Sequence, residues 1–238
     1  MKSFVLFVLW FGSFNMVAQN NLVIVELFTS QGCSSCPAAD RNLTEVLAQA
    51  SKEGNHVLGL SFHVDYWNYI GWKDPYSSKA FTERQRGYGE QMNLRSIYTP
   101  QMIVNGKIEF VGSNKSELKD ALLSAYKQKP SYKILINQLK VEGDKLTFQY
   151  AVDKSPDNEV INFAIVERSV ENFVSRGENS GRKLHHDNVV RSFSTKSLQH
   201  KDQISVVLPN VSLKNLSLIL YIQDKEWQVT GAMAQQFQ

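Results

Sequence analysis

The run NLVIVELF, from Asn21 to Phe28, is apolar and β-branched and lacks the alternation of a half-exposed strand. Such a run is a strand covered on both faces in a parallel or mixed sheet, which restricts the chain to architectures with layers on both sides of that sheet. Directly after it comes TSQGCSSCPAAD, which holds the only two cysteines, Cys33 and Cys36. Ala39, Leu43, Val46, Leu47 and Ala50 then recur at helical spacing. The pair therefore lies in a strand-to-helix turn, and Pro37 suits the first helical turn, where its missing N–H has no partner to lose. HVLGLSFHVDYW follows, a second buried strand from His56 to about Val64, completing a βαβ unit with a right-handed crossover. The turn then sits at the carboxyl end of a sheet strand, with His63, Asp65, Tyr66 and Trp67 emerging at the same end.

A helix N-terminus offers unpaired N–H donors and partial positive charge, both of which favour thiolate over thiol. A thiol with a pKa of about 8.5 is only about 3% ionised at pH 7, and lowering it to about 6.5 makes roughly three quarters reactive. Three readings of the pair stand. As a redox couple, Cys33, farther out in the turn, attacks and Cys36 resolves. As a structural bridge, the pair closes a very small loop and removes little unfolded-state entropy. As part of a metal site, such as one for copper, it needs further ligands from His56, His63, Met92 or Met102, because no second cysteine pair exists.

With 238 residues, 42% hydrophobic, 21% charged and a formal net charge of +3, the chain is globular, and no strong field points to nucleic acid. MKSFVLFVLWFGSFNMVAQN reads as a signal peptide over 1–19, cleaved after Ala18 or Gln19. Its apolar run is short and broken for a bilayer span, so no membrane span is expected after cleavage, and the mature protein is expected to be periplasmic or secreted.

YTPQMIVNGKIEFVG carries two strands joined by Asn105-Gly106, with Thr99-Pro100 just before the first. A helix follows, with Leu118, Ala121, Leu122, Ala125 and Tyr126 on one face and Asn114 and Glu117 in capping-box positions. Between Asp65 and Ser96 lies an insertion with a helix expected from about Ser78 to Leu94. Its aromatics Tyr66, Trp67, Tyr69, Trp72 and Tyr76 suit either a sticky wall beside the reactive turn or plain packing, and Arg84 and Arg86 suit the helix surface or the insertion's acids.

From Ser131 the pattern alternates at period two between Gly, Asn, Asp and Pro turns, which predicts a small all-β, sandwich-like domain over 130–238 after an α/β domain over 20–129. Within it, the polar stretch 175–192 is long for a turn and suits a contact loop. His185, His186 and Asp187 invite a metal reading, but neighbours in an extended chain point different ways.

The order strand, CxxC, helix, strand, Thr-Pro, hairpin, helix resembles the thioredoxin fold. More closely, VELFTSQGCSSCPAAD, FHVDYWNYIGWKDP, RQRGYG, YTPQMIVNG and GENSGRKLHHDNVVR resemble the bacterial domain of unknown function 1223 family, thioredoxin-like proteins without a known substrate. The resemblance implies a thiol–disulfide oxidoreductase whose only redox group is the Cys33–Cys36 couple, acting on protein or small-molecule thiols and disulfides. It also implies a cis Pro100, a substrate groove at Thr99 and Pro100, and a proton shuttle at Glu26; read from the residues alone, Trp67 is a further candidate for the groove and His63 for the shuttle. Two departures stand out: Glu26 lies seven residues before Cys33, one more than in thioredoxins, and the dipeptide between the cysteines is Ser-Ser. From another class, a copper carrier or a protein-interaction adaptor remains the alternative.

Overall fold

The structure, a computed structural model, describes residues 22–237. The expected leader over 1–19 lies outside the described residues. Among them, no helix is long and apolar enough to cross a membrane.

The first half runs β1 (Leu22–Thr29), α1 (Cys36–Glu53), β2 (His56–His63), α2 (Lys79–Gln91), β3 (Gln101–Val104), β4 (Ile108–Val111) and α3 (Lys115–Ala125). β1 is paired on both edges, parallel to β2 and antiparallel to β3, and it is buried along nearly all its length, as the unbroken apolar run requires. Its two faces are served by different partners. Val23, Val25 and Leu27 pack with Ala39 and Leu43 of α1 and Leu118 and Leu122 of α3, whereas Ile24 and Phe28 pack with Phe81 and Tyr88 of α2. Local signals hold where they were read. Asn105 and Gly106 both take positive φ in the β3–β4 turn, and Asn114 caps α3 by accepting from the Glu117 N–H. α2 is capped by Ser78, whose side chain accepts from the Ala80 N–H.

The second half runs β5 (Ile134–Glu142), β6 (Lys145–Val152), β7 (Val160–Val174), β8 (Arg182–Ser197), β9 (Lys201–Val207), β10 (Leu216–Gln223) and β11 (Val229–Gln236). Here the architecture departs from the expected separate sandwich. Four of these strands extend the sheet of the first half, giving one eight-stranded sheet in the order β11-β10-β7-β8-β2-β1-β3-β4. The join is narrow: Ser61 of β2 pairs with Val189 of β8, and the Ser61 hydroxyl donates to the Asp187 carbonyl at 2.7 Å. Only β5, β6 and β9 form a second sheet, and they do make a sandwich layer, packing Leu146, Phe148, Tyr150 and Ile204 onto Phe163 of β7 and Leu218 and Leu220 of β10. Each such buried side chain contributes roughly 1.5–3 kcal/mol.

The reason is visible in β10, LSLILYIQ, which is buried at all eight positions. Leu216, Leu218, Leu220 and Ile222 face the small sheet, while Ile219 and Tyr221 face α2. The change of texture near residue 130 thus marks a change of secondary structure and not an end to the sheet. α1, α3 and the small sheet share one face of the large sheet, and α2 covers the other.

β7 and β8 form the longest hairpin. β10 pairs with β7 only as far as Glu167, so Ser169–Val174 and Arg182–Asp187 continue as a two-stranded arm. Its tip, 175–181, returns over the end of β1.

Candidate functional site

β1 ends at Thr29, and α1 begins at Cys36. The six-residue turn between them is stitched by the Cys33 N–H to the Ser30 carbonyl, the Cys36 N–H to the Cys33 carbonyl and the Gly32 N–H to the Ser30 hydroxyl. Cys33 and Cys36 are disulfide-bonded, with Cys36 as the first residue of the helix. The Cys33 Sγ lies 3.3 Å from the Ser35 Oγ.

Cys33 was expected to be the exposed sulfur, but it is 1% exposed and Cys36 0%. Two remote segments close over the turn. From the hairpin arm, the Asn179 Nδ2 donates to the carbonyls of Gln31 and Cys33, both at 2.9 Å, and the Glu178 carboxylate accepts the Ser34 N–H at 2.9 Å. Asn179 is itself fully buried and held by the Arg182 guanidinium at 2.8 Å. From the insertion, Ile70 is wedged between two glycines: a Cβ on Gly32 would stand 3.1 Å from its Cδ1, and one on Gly177 3.0 Å. Gly177 also has φ +77°, a conformation that strains other residues. The Ser34 and Ser35 edge remains open.

The predicted groove residues come together here. The Trp67 Cβ would touch a Cβ on Gly32, and its indole N–H donates to the Thr99 hydroxyl at 2.7 Å, so Trp67 bridges the cysteine turn and the Thr99–Pro100 segment. The Thr99–Pro100 peptide is cis, and Pro100 is buried.

Beneath the turn lies a buried polar network that the sequence reading caught only in part. Gln31 is its hub. Its N–H donates to the Asp74 carboxylate at 2.8 Å, its side-chain oxygen accepts from Trp72 and Asn172, and its Nε2 lies 3.3 Å from the His186 Nε2. His63 Nδ1 sits 2.7 Å from the same Asp74 oxygen, and the His63 and His186 rings lie 4.7 Å apart. His186 Nδ1 stands 3.3 Å from Asp40, whose carboxylate also receives the Thr29 hydroxyl. Burial pushes the Asp74 carboxyl up, but His63 and the N–H groups of Gln31 and Tyr76 more than offset this and hold it below its usual range. Burial likewise pushes His186 down, and Asp40, with Asp74 and Asp187 behind it, raises it overall.

Glu26 has other work. Its carboxylate takes the Arg84 guanidinium in a two-pronged pair at 2.6 and 2.8 Å and accepts from the hydroxyls of Tyr88 at 2.6 Å and Tyr221 at 3.2 Å. It projects with Phe28 toward α2, on the face opposite α1. Arg84 is neither a surface charge nor a partner of the insertion's own acids: its side chain is 7% exposed and stacked among Phe62, Tyr88, Phe193 and Trp227. Arg86 does lie on the surface, paired with Glu83. A lone acid in an otherwise apolar strand was the signal for this pair, since such a carboxylate needs a buried cation.

The suggested copper ligands do not gather. His56 and His63 stand at opposite ends of β2, and Met102 packs among Leu27 and the α3 leucines. His185 is exposed against Asp187 while His186 points inward, and among the described residues no group of three or more His, Cys, Asp or Glu side chains converges to hold a metal ion.

Fold and site together define a mixed α/β protein with a CxxC disulfide at a helix N-terminus, closed over by its own later segments. The chain belongs to the family described as protein of unknown function (DUF1223), which matches residues 24–223. A crystal structure of a protein from Agrobacterium tumefaciens is similar over 90% of this chain and 93% of that one, with 28% identity and a TM-score of 0.67. No curated protein matches.

Proposed function

We propose that this is an exported, thioredoxin-like thiol–disulfide oxidoreductase in which Cys33 and Cys36 cycle between disulfide and dithiol. The observation that carries the reading is the placement of the disulfide: at the N-terminus of α1, at the carboxyl end of β1, and bridged through Trp67 to Thr99–Pro100. The helix N-terminus stabilises a thiolate on either sulfur. In the oxidising direction for a substrate dithiol, a substrate thiolate attacks the Cys33 sulfur and expels Cys36 as thiolate, forming a mixed disulfide. The second substrate thiolate then displaces Cys33, leaving substrate disulfide and protein dithiol. Two electrons and two protons pass to the protein, and the reverse sequence reduces a substrate. The disulfide itself is the redox group, Thr99, Pro100 and Trp67 flank the approaching chain or small thiol, and the arm tip must lift for the sulfur to be reached.

The test is trapping. Cys36→Ser, expressed with its natural leader, is expected to accumulate mixed disulfides through Cys33 that Cys33→Ser lacks, and the wild-type couple is expected to equilibrate with glutathione. A disulfide inert to exchange whose reduction only lowers stability makes the bridge a staple and overturns the reading. Tight stoichiometric Cu(I) on the reduced protein, without exchange, overturns it in favour of a carrier.

A further inference from the structure

Among the described residues three carboxylates are buried, Glu26, Asp40 and Asp74, and they differ in how well they are satisfied. Glu26 has a bidentate guanidinium and two phenols. Asp74 has His63 and the N–H groups of Gln31 and Tyr76 at 2.7 to 3.0 Å. Asp40, 4% exposed, has only the Thr29 hydroxyl at 3.3 and 3.5 Å and His186 Nδ1 at 3.3 Å, and that Nδ1 is a buried nitrogen without a hydrogen bond. Of the three it is the least satisfied, with neither a guanidinium nor a backbone N–H donating to it.

Its position matters as much. Cys36 and Asp40 are four residues apart on the buried face of α1, which continues through Leu43, so their side chains are neighbours one helical turn apart. At that spacing the two Cβ atoms stand about 5–6 Å apart, a gap that one water between thiol and carboxylate can span. We propose that Asp40, backed by His186, takes the proton from the Cys36 thiol when Cys36 attacks the mixed disulfide on Cys33. The proposal rests on the redox reading above and gives the shuttle role to a helix residue, because the strand acid, Glu26, is locked to Arg84.

The step balances. The Cys36 S–H passes its proton to the Asp40 carboxylate, the Cys36 thiolate forms a bond to the Cys33 sulfur, and the Cys33–substrate S–S bond breaks and releases the substrate thiolate. The proton on Asp40 then leaves to solvent or to that thiolate. His186 steadies the carboxylate from the other side, and the upward displacement of its own titration by Asp40 fits that coupling. The titratable groups that face Asp40 and His186 are Cys36 on α1, His63 on β2, Asp74 in the insertion, and His185 and Asp187 on β8. His186 arrives on the same arm whose tip covers the disulfide, so the second half of the chain supplies part of the chemistry of the first.

An aromatic disulfide reagent that releases a coloured thiolate separates the steps on the reduced protein. The first release reports attack by Cys33, and the second reports resolution by Cys36. In Asp40→Asn the first release is expected to keep its rate, while the second falls by about 10- to 100-fold at pH 7 and its pH midpoint moves upward toward that of an unassisted thiol. His186→Gln is expected to move the same midpoint by less, and it serves as the deciding variant should Asp40→Asn not fold. A second release with unchanged rate and midpoint in the folded variants overturns the assignment. Absence of the first release in the parent protein overturns the redox reading and the proposal with it, a failure distinct from the former.

Discussion

Asn179→Ala tests whether the arm tip is a latch on the disulfide. The side chain makes two buried hydrogen bonds across the interface, to the carbonyls of Gln31 and Cys33, both at 2.9 Å. A net contribution of about 0.5–1.5 kcal/mol for each bond gives roughly 1–3 kcal/mol for the latch. The Cys33 carbonyl keeps the Cys36 N–H at 3.2 Å, so its share lies toward the lower end. At about 1.4 kcal/mol per factor of ten, the open population should rise between about 5- and 150-fold. If the sulfurs are reached only through opening, the rate at which a water-soluble phosphine reduces the disulfide rises by the same factor, and because the closed form is the ground state for both processes, thermal unfolding moves down with it, by about 2–12 °C for roughly 1–3 kcal/mol. Mass-resolved reduction kinetics measure this directly. A reduction rate within twofold of the parent would mean that the disulfide is reached along the open Ser34–Ser35 edge, and the latch reasoning would be refuted.

Three further outcomes follow from the geometry. Arg84→Met leaves the Glu26 carboxylate buried with only two phenols and should cost about 3–5 kcal/mol in urea unfolding, whereas Glu26→Gln combined with Arg84→Met should cost less than the sum of the two single changes. Glu178 is held below the ordinary carboxylate range by its hydrogen bonds with Ser34, so its support of the closed tip is complete above the unfolded-state value and disappears as pH falls through the lowered one. Phosphine reduction should therefore accelerate under acid, and Glu178→Gln should lose that acceleration. Asp74, whose folded titration is likewise lowered, contributes stability that is present above its unfolded value and lost on acidification, so Asp74→Asn should flatten the acid limb of the stability curve and destabilise at neutral pH by about 1–3 kcal/mol through the stranded Gln31 N–H and His63.

Much of the local structure was legible because its causes are local. The Asn105-Gly106 turn, the Asn114 cap and the strand-to-helix setting of the cysteines each depend on a few adjacent residues whose backbone preferences agree. The site was legible only by its near side: Cys33, Cys36, Trp67, Thr99 and His63 lie within the first half, and the order of the elements brings them to one sheet end. Gln31, Asp40 and Asn179 were missed. A buried Gln or Asn in a polar stretch looks like any loop residue until its partners are known, and Asp40 looks like any polar position in an amphipathic helix.

By itself the sequence determined that β1 is a two-sided strand, that a CxxC opens the helix after it, and that the second half is built of strands, since each of these follows from the period and kind of neighbouring side chains. Only the tertiary structure decided that the halves share one sheet, that Glu26 belongs to Arg84, and that the β7–β8 arm seals the disulfide and sets His186 beside Asp40. Those outcomes join residues up to 195 positions apart, as Glu26 and Tyr221 are. Alternation states that a face is buried without naming what buries it, and the choice of partner is made by shape and charge complementarity between surfaces that exist only once the elements have formed.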